Sequence, residues 1–236
     1  KFPILLPKVF DHPFTYESDI KLKVGDFVEV PFGKTKITGV VWNEFEKNNN
    51  KNFKIKKVSK KLNVPNLKEK TIEFLNWFAE YNIVPKGMAL KLVMLSGNIV
   101  EKFESKFYEK FNLKIKENSF KLTKEQNNCL NQIKSSNQKF NVHVLQGATG
   151  SGKTIGYFEA LKKILERGYQ GLIMLPEIGL TNQFENKFTE FFGFTPAIWH
   201  SGVSKKNKEI IWSGIISGGV KVVIGARSSL FLPFKN

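Results

Sequence analysis

Cysteine is nearly absent. Cys129 is the one thiol in the chain, so no intrachain disulfide can close and no cysteine-rich zinc site can be built from these residues. A cytoplasmic location is the expectation that follows. No apolar stretch approaches the roughly 18 residues of a membrane span, which excludes a helical membrane protein, and no membrane partner is expected. Arginine is reduced to Arg167 and Arg227, and aspartate to Asp11, Asp19 and Asp26. The C-terminal half therefore has no aspartate at all, a gap that bears on metal chemistry below. No repeat and no targeting peptide is visible.

What remains is a soluble globular composition, 41% hydrophobic and 25% charged, and 236 residues suffice for one large domain or two small ones. Lys+Arg 37 against Asp+Glu 21 gives +16, which suggests a polyanionic partner. A lysine surface produced by A/T-rich coding sequence, along with the abundant Asn, Ile and Phe, is the competing explanation. The charge sits at the two ends: +6 over residues 1–65, +2 over 66–118 and +8 over 119–236.

Those limits are also the expected domains. Residues 1–65 read as β structure, with alternation over Asp26–Val30, a break at Pro31–Gly33 and a second strand over Lys36–Trp42. Residues 66–118 read as helical. Asn66 is placed to cap a helix whose apolar face runs through Leu67, Thr71, Phe74, Leu75, Phe78 and Tyr81. Further helical patterns follow over Met88–Leu95 and through Ile99, Phe103, Phe107 and Phe111. From 119 the period changes to strands at Val142–Leu145, Gly171–Leu175, Ala197–Trp199 and Val220–Ile224. Helices alternate with them, carrying Phe158, Leu161 and Leu165, then Leu180, Phe184, Phe188 and Phe191, then Ser204–Ile216. Such alternation implies an α/β fold with a parallel sheet, and ligands at the carboxyl ends of its strands.

Gly147-Ala148-Thr149-Gly150-Ser151-Gly152-Lys153-Thr154 fits G-x-x-x-x-G-K-[ST] in full, between an expected strand and an expected helix. Glycines let consecutive N–H groups turn toward phosphate oxygens, and the helix N-terminus adds its positive end. Lys153 is the residue to reach the β- and γ-phosphates of ATP, and the Thr154 hydroxyl the one to ligate Mg²⁺ through the nucleotide. These two are the candidate catalytic residues. Hydrolysis usually needs a further acid on a second strand, and no aspartate follows Lys153. The expectation is a chain cut short before that acid.

Four segments together carry a resemblance: Leu145–Thr154; Leu175-Pro176-Glu177-Ile178-Gly179-Leu180-Thr181; His200-Ser201-Gly202; and Val223-Ile224-Gly225-Ala226-Arg227-Ser228-Ser229-Leu230-Phe231. In this order and spacing they resemble the PriA family of bacterial primosomal replication-restart helicases, of superfamily 2. The N-terminal pieces Pro13-Phe14-Thr15-Tyr16, Val24–Gly33 and Gly39-Val40-Val41 are similar to that family's 3′-DNA-end-binding domain.

The resemblance implies an incomplete RecA-like first lobe over 119–236, preceded by a β-rich end-binding domain with a helical extension. It implies ATP-dependent 3′ to 5′ unwinding by the full-length protein in primosome assembly and restart of stalled forks, with this fragment alone inactive. Gln126, in Leu122–Gln126, matches the motif that reads adenine; an ordinary capping box with Thr123 is the alternative. Thr181, His200, Ser201, Arg227 and Ser228 become candidate contacts to single-stranded DNA, with a satisfied loop histidine the alternative for His200 and a surface or C-cap arginine that for Arg227. Phe14, Tyr16 and Phe32 become candidates to stack a terminal base, with Lys34 and Lys36 on phosphates; an aromatic barrel core is the alternative. Thr15 stands where the family commonly has aspartate, which puts recognition of the terminal nucleotide in question.

Leu95 to Lys121 is too short for the family's winged helix, so that domain is expected to be absent. Zinc is expected only in a cysteine-rich module downstream of this chain. Forked and single-stranded DNA, 3′ strand ends, single-stranded DNA-binding protein and other primosome proteins are the implied partners of a monomer. Another superfamily 2 translocase of repair or restriction, or a DNA-binding adaptor with a non-hydrolysing P-loop, remain open alternatives.

Overall fold

The structure, a computed structural model, describes residues 1–45, 55–95, 98–101, 103, 122–135, 140–148, 150–176 and 182–235. The chain forms two compact units, neither of them one stretch of sequence. The first joins Lys1–Lys110 with Val203–Gly219 and Leu230–Lys235; the second joins Phe111–Gly202 with Val220–Ser229 and Asn236. The helix that follows His200-Ser201-Gly202 thus belongs with the N-terminal residues, although the alternation of strand and helix assigns it to the helicase lobe.

The first unit is built on an antiparallel sheet of β1 (Phe2–Leu5), β2 (Phe14–Tyr16), β3 (Phe27–Phe32), β4 (Thr35–Val41) and β5 (Lys60–Lys61), in the order β2-β1-β4-β3-β5. β3 and β4 form a hairpin closed by Gly33-Lys34, with Phe32 opposite Thr35 and Phe27 opposite Val40. Period-two alternation sends Val28 and Val30 into one core with Ile4, Leu6, Tyr16, Leu22, Val41 and Val58. The strands expected from the sequence around residues 26–42 are therefore present.

Helices α1 (Glu69–Asn82), α2 (Lys86–Met94) and α3 (Asn98–Glu101) follow. α1 buries Ile72, Leu75 and Ala79. It does not start on Asn66: Lys68 stands at the N-cap with no side-chain bond, and the Asn66 amide donates to the Leu67 carbonyl instead. Nor is Tyr81 part of the buried face, being 73% exposed. At 100° per residue, positions 74, 78 and 81 lie on a face turned roughly 120° from the buried 72, 75 and 79. The pattern through Phe107 and Phe111 lies outside the described residues.

The first unit also contains α7 (Lys205–Ser217). Ser204 caps it, its hydroxyl accepting from the Asn207 N–H at 3.3 Å. Trp212 is fully buried, edge-on to Phe27 with ring centroids 6.1 Å apart. Phe231, from the segment 230–235, packs against Phe74 and Phe78.

The second unit holds a parallel sheet of β6 (Gly171–Met174), β7 (Ala197–Trp199) and β8 (Val222–Gly225) in the order β6-β8-β7. With it are α4 (Lys124–Ser135), α5 (Lys153–Glu166) and α6 (Asn182–Phe192). Phe158 and Leu165 of α5, Phe188, Phe191 and Phe192 of α6, and Val222 and Ile224 of β8 form its core. This confirms the α/β class, with a parallel sheet after an antiparallel N-terminal domain.

One expected strand is missing. Val142–Leu145 pairs with no strand among the described residues; Val142 is 72% and Val144 89% exposed. A four-residue apolar run becomes a parallel strand only where neighbours supply backbone partners, and periodicity cannot supply that information.

Candidate nucleotide-binding loop and DNA-facing residues

The glycines of the loop after Leu145 take the conformations their lack of Cβ permits. Gly150 (φ 82°) and Gly152 (φ 79°) are both left-handed, and nothing lies within 4 Å of where a Cβ would stand at Gly150. The Ser151 N–H donates to the Ala148 carbonyl at 3.2 Å, closing a turn. α5 then starts at Lys153 with Gly152 at its N-cap and no side chain bonded there, so its first N–H groups are not capped by a side chain. A left-handed glycine pair running into a helix N-terminus without a side-chain cap is the kind of backbone that presents N–H donors to phosphate oxygens. The residues fit the triphosphate that the motif implies. Thr149 lies outside the described residues; Gly147 and Ala148 are exposed at the loop's start.

Lys153 curls back over this loop, its ammonium donating to the carbonyls of Gly147 and, at 2.7 Å, Ala148. The half-buried Thr154 hydroxyl is bonded to the Tyr157 side chain one turn on. Burial pushes the Tyr157 phenol above its usual range, and the bond from Thr154 opposes the shift.

Gln126 realises the capping box: its Oε1 accepts from the Thr123 N–H at 3.0 Å, and its own N–H donates to the Thr123 hydroxyl at 3.2 Å. The same side chain reaches the phosphate loop, its Nε2 donating to the Ser151 carbonyl at 3.2 Å. The residue taken from sequence for an adenine reader is therefore at the loop and is also a helix cap.

The strand ends bring three of the candidate DNA-contact segments out at one sheet edge. Trp199 of β7 and Met174 of β6 both lie in register with Gly225 of β8, and the ladder continues through Ala226 N–H to Trp199 carbonyl and Leu175 N–H to Gly225 carbonyl. His200-Ser201 and Arg227-Ser228 thus leave neighbouring strands at the same edge. Arg227, Ser228 and Ser201 are exposed; Ser229 is fully buried, its hydroxyl donating to the Ala226 carbonyl. His200 accepts the Gly202 N–H on Nδ1 at 3.1 Å, which fixes the turn after β7. The third segment leaves β6 through Leu175-Pro176; Thr181 lies outside the described residues.

In the first unit, Phe14 and Phe32 are half-buried and meet in an aromatic cluster with Phe10, centroids 4.9 to 5.6 Å apart. His12 lies 4.9 Å from Phe14. Thr15 is half-buried, in register with Pro3. Tyr16 is a core residue, 4% exposed, its hydroxyl donating to the Pro31 carbonyl at 3.2 Å; burial raises its pKa. Its ring is not presented to a base. Lys34 is exposed in the hairpin turn, while Lys36 pairs with Glu29 at 3.1 Å across the β3–β4 ladder, and Lys60 approaches the same carboxylate at 3.6 Å. Glu29 is held below the usual carboxylate range, chiefly by the hydrogen bond from Lys36.

Sequence reasoning overlooked Phe10 and His12, although their spacing with Phe14 is the period of an extended chain. It also overlooked the aromatic ladder on α1. There Phe74, Trp77 and Tyr81 stack successively, with Trp77 54% exposed. The spacing i, i+3, i+7 was available, but such spacing is ordinarily a buried face.

Among the described residues no group of three or more His, Cys, Asp or Glu stands together to hold a metal, and no helix is long and apolar enough to cross a membrane.

Two family models match the chain, a 3′DNA-binding domain of PriA over residues 3–95 and a DEAD/DEAH box helicase domain over residues 123–236. The chain is 41% identical to the replication restart protein PriA of Rickettsia conorii, over 99% of this chain and 35% of that protein. The corresponding protein of Rickettsia typhi is 40% identical with the same coverage, and that of Bacillus subtilis 34% identical over 62% of this chain and 19% of that protein. The end-binding match covers the antiparallel unit's sheet and the helicase match begins at the cap of α4, so both halves of the sequence point one way: the chain belongs to the PriA family of replication restart proteins and spans about a third of the length of the Rickettsia relatives it matches.

Proposed function

We propose that this chain is the DNA-end-binding and nucleotide-binding portion of an ATP-dependent DNA helicase that unwinds 3′ to 5′ in primosome assembly and restart of stalled forks. The observation that carries the reading is the second unit's geometry. A phosphate-shaped loop opens onto α5, and the exposed Arg227 and Ser228 share one sheet edge with His200-Ser201. Lys153 binds the β- and γ-phosphates of ATP, Thr154 holds Mg²⁺ through the nucleotide, and the strand-end loops track single-stranded DNA by its phosphates. Phe14 and Phe32, with Lys34 beside them in sequence, receive a 3′ strand end. Tyr16 supports that surface from within the core. Residues 1–65, 66–118 and 119–236 act as end-binding domain, helical connector without a winged helix, and first helicase lobe.

Hydrolysis belongs to the whole protein, since no aspartate follows Lys153; the 236-residue chain alone turns over no appreciable ATP. Zinc enters only through residues outside this sequence. The protein acts as a monomer in the cytoplasm, with single-stranded DNA-binding protein and primosome proteins as partners.

The test is fluorescence anisotropy of forked DNA carrying a free or a blocked 3′ end, with and without Mg²⁺–ATP, on the full-length protein, alongside an unwinding assay. Preference for the free 3′ end and ATP-dependent 3′ to 5′ unwinding are expected. Equal binding to both forks with no unwinding would overturn the reading.

A further inference from the structure

Gln126 makes three hydrogen bonds, and only two of them belong to a helix cap. Its Oε1 and backbone N–H exchange bonds with Thr123 at the start of α4. The third runs from Nε2 to the carbonyl of Ser151, between the two left-handed residues Gly150 and Gly152. Contact there is close: a Cβ on Gly152 would lie 2.4 Å from Gln126 Nε2, so the missing side chain is what lets the amide approach. Ser151 is otherwise tied by its N–H to Ala148, within the loop itself. The bond from Gln126 comes from outside the loop, 25 residues earlier in sequence.

We infer that Gln126 is a positioning residue of the phosphate-binding loop. It clamps the Gly150–Gly152 arch to the N-terminus of α4 whether or not a base is bound. A primary amide offers two acceptor lone pairs and two hydrogens, and the Thr123 and Ser151 bonds use one of each. One acceptor site and one hydrogen stay available for a base edge, so clamping and base reading do not compete. The capping box makes the clamp rigid, because Thr123 fixes the side chain before it reaches Ser151. The loop's donors are thereby held in a phosphate-binding arrangement in advance, which lowers the ordering cost of binding.

The inference rests on the nucleotide-binding reading of this loop, and its test separates the two. Gln126→Glu keeps an oxygen for the Thr123 N–H and loses the hydrogen for Ser151; Gln126→Leu loses both without adding charge. In the full-length protein, hydrogen exchange of amides 147–153 without nucleotide is compared with binding of Mg²⁺–ATP and of Mg²⁺–tripolyphosphate, which has no base. Both variants are expected to speed loop exchange roughly fivefold, the worth of one ordinary hydrogen bond. Both should weaken tripolyphosphate, which reports the clamp alone, and weaken ATP by at least the same factor. Unchanged exchange with weakening confined to ATP would make Gln126 a base reader only and overturn the clamp. Loosening by Glu but not by Leu would mark charge repulsion and overturn it equally. If the wild-type protein bound neither ligand, the nucleotide-binding reading itself would fall, while loop exchange would still decide the clamp.

Discussion

The indole N–H of Trp212 donates to the backbone carbonyl of Val93 at 2.8 Å, a buried bond between residues 119 apart in sequence. It ties α7 into the same compact unit as the N-terminal sheet and α2. Trp212→Phe keeps most of the aromatic volume and leaves that carbonyl unsatisfied, so it should destabilise the first unit by about 1–3 kcal/mol. Trp212→Ala adds a cavity and should cost about 3–5 kcal/mol. Urea denaturation followed by circular dichroism measures both; an unchanged midpoint for Trp212→Phe would refute the bond's contribution.

Gly25 stands at φ 87° with its N–H bonded to Val41 and its carbonyl accepting from Leu67. A Cβ there would lie 2.1 Å from the Leu67 carbonyl oxygen. Gly25→Ala combines left-handed strain with a backbone clash, and a loss of more than about 2 kcal/mol is expected. Thermal unfolding reads it directly. Gly33→Ala is the contrast, since nothing lies near its Cβ and only the strain of φ 60° remains.

Glu29 sits between Lys36 and Lys60, and its carboxyl is held below the usual range first by the Lys36 hydrogen bond, with burial opposing. A carboxyl depressed in the folded state contributes stability above its unfolded pKa of about 4.3, and that contribution is lost as pH falls through the folded value. The melting temperatures of wild type and Glu29→Gln should therefore differ at pH 7, and the difference should shrink as pH falls from the unfolded value through the lower, folded one. A difference that does not vary with pH would exclude the ion pair as its source.

Lys153→Ala removes an ammonium whose hydrogen bonds among the described residues go to exposed loop carbonyls, so stability should hardly change. Charge-assisted bonds to phosphate are worth about 1.5–3 kcal/mol, which predicts ATP affinity falling by roughly 10- to 150-fold. Calorimetric titration of the full-length protein checks it.

Arg227→Ala should weaken DNA binding without altering ATP affinity, and reduce the slope of log affinity against log salt by about one phosphate contact. An unchanged slope would place Arg227 off the DNA path.

How legible this protein is from its sequence varies by residue. Val28 and Val30 announce their strand by alternation, and Phe158, Leu165 and Phe188 announce theirs as helix faces, because burial of one face is a local pattern. The phosphate loop is legible for a different reason: its glycines are demanded by backbone geometry at fixed spacing, and Gly150 and Gly152 are left-handed as that requires. Tyr16 shows the limit. The motif around it left a base-stacking ring and a barrel-core ring both open; position alternation alone could not decide which face of β2 is covered, and β1 and β3 decided it. Val142–Leu145 shows another, since an apolar run says nothing about whether a strand partner is at hand.

By itself the sequence determined the local things: where chain alternates, where glycine must stand, that an amide follows Thr123 at capping distance, and which segments share a family. Tertiary structure alone decided what long-range contact sets. It put α7 with the N-terminal unit through Trp212, stacked Trp77 on Phe74 and Tyr81 at the surface, and brought the Gln126 amide to Ser151. It also drew Lys36 onto Glu29, so this lysine is engaged within the fold, while the net +16 that suggests a polyanionic partner is unchanged by the pairing. Periodicity records a residue's burial on its own element. It carries no record of which distant element does the burying.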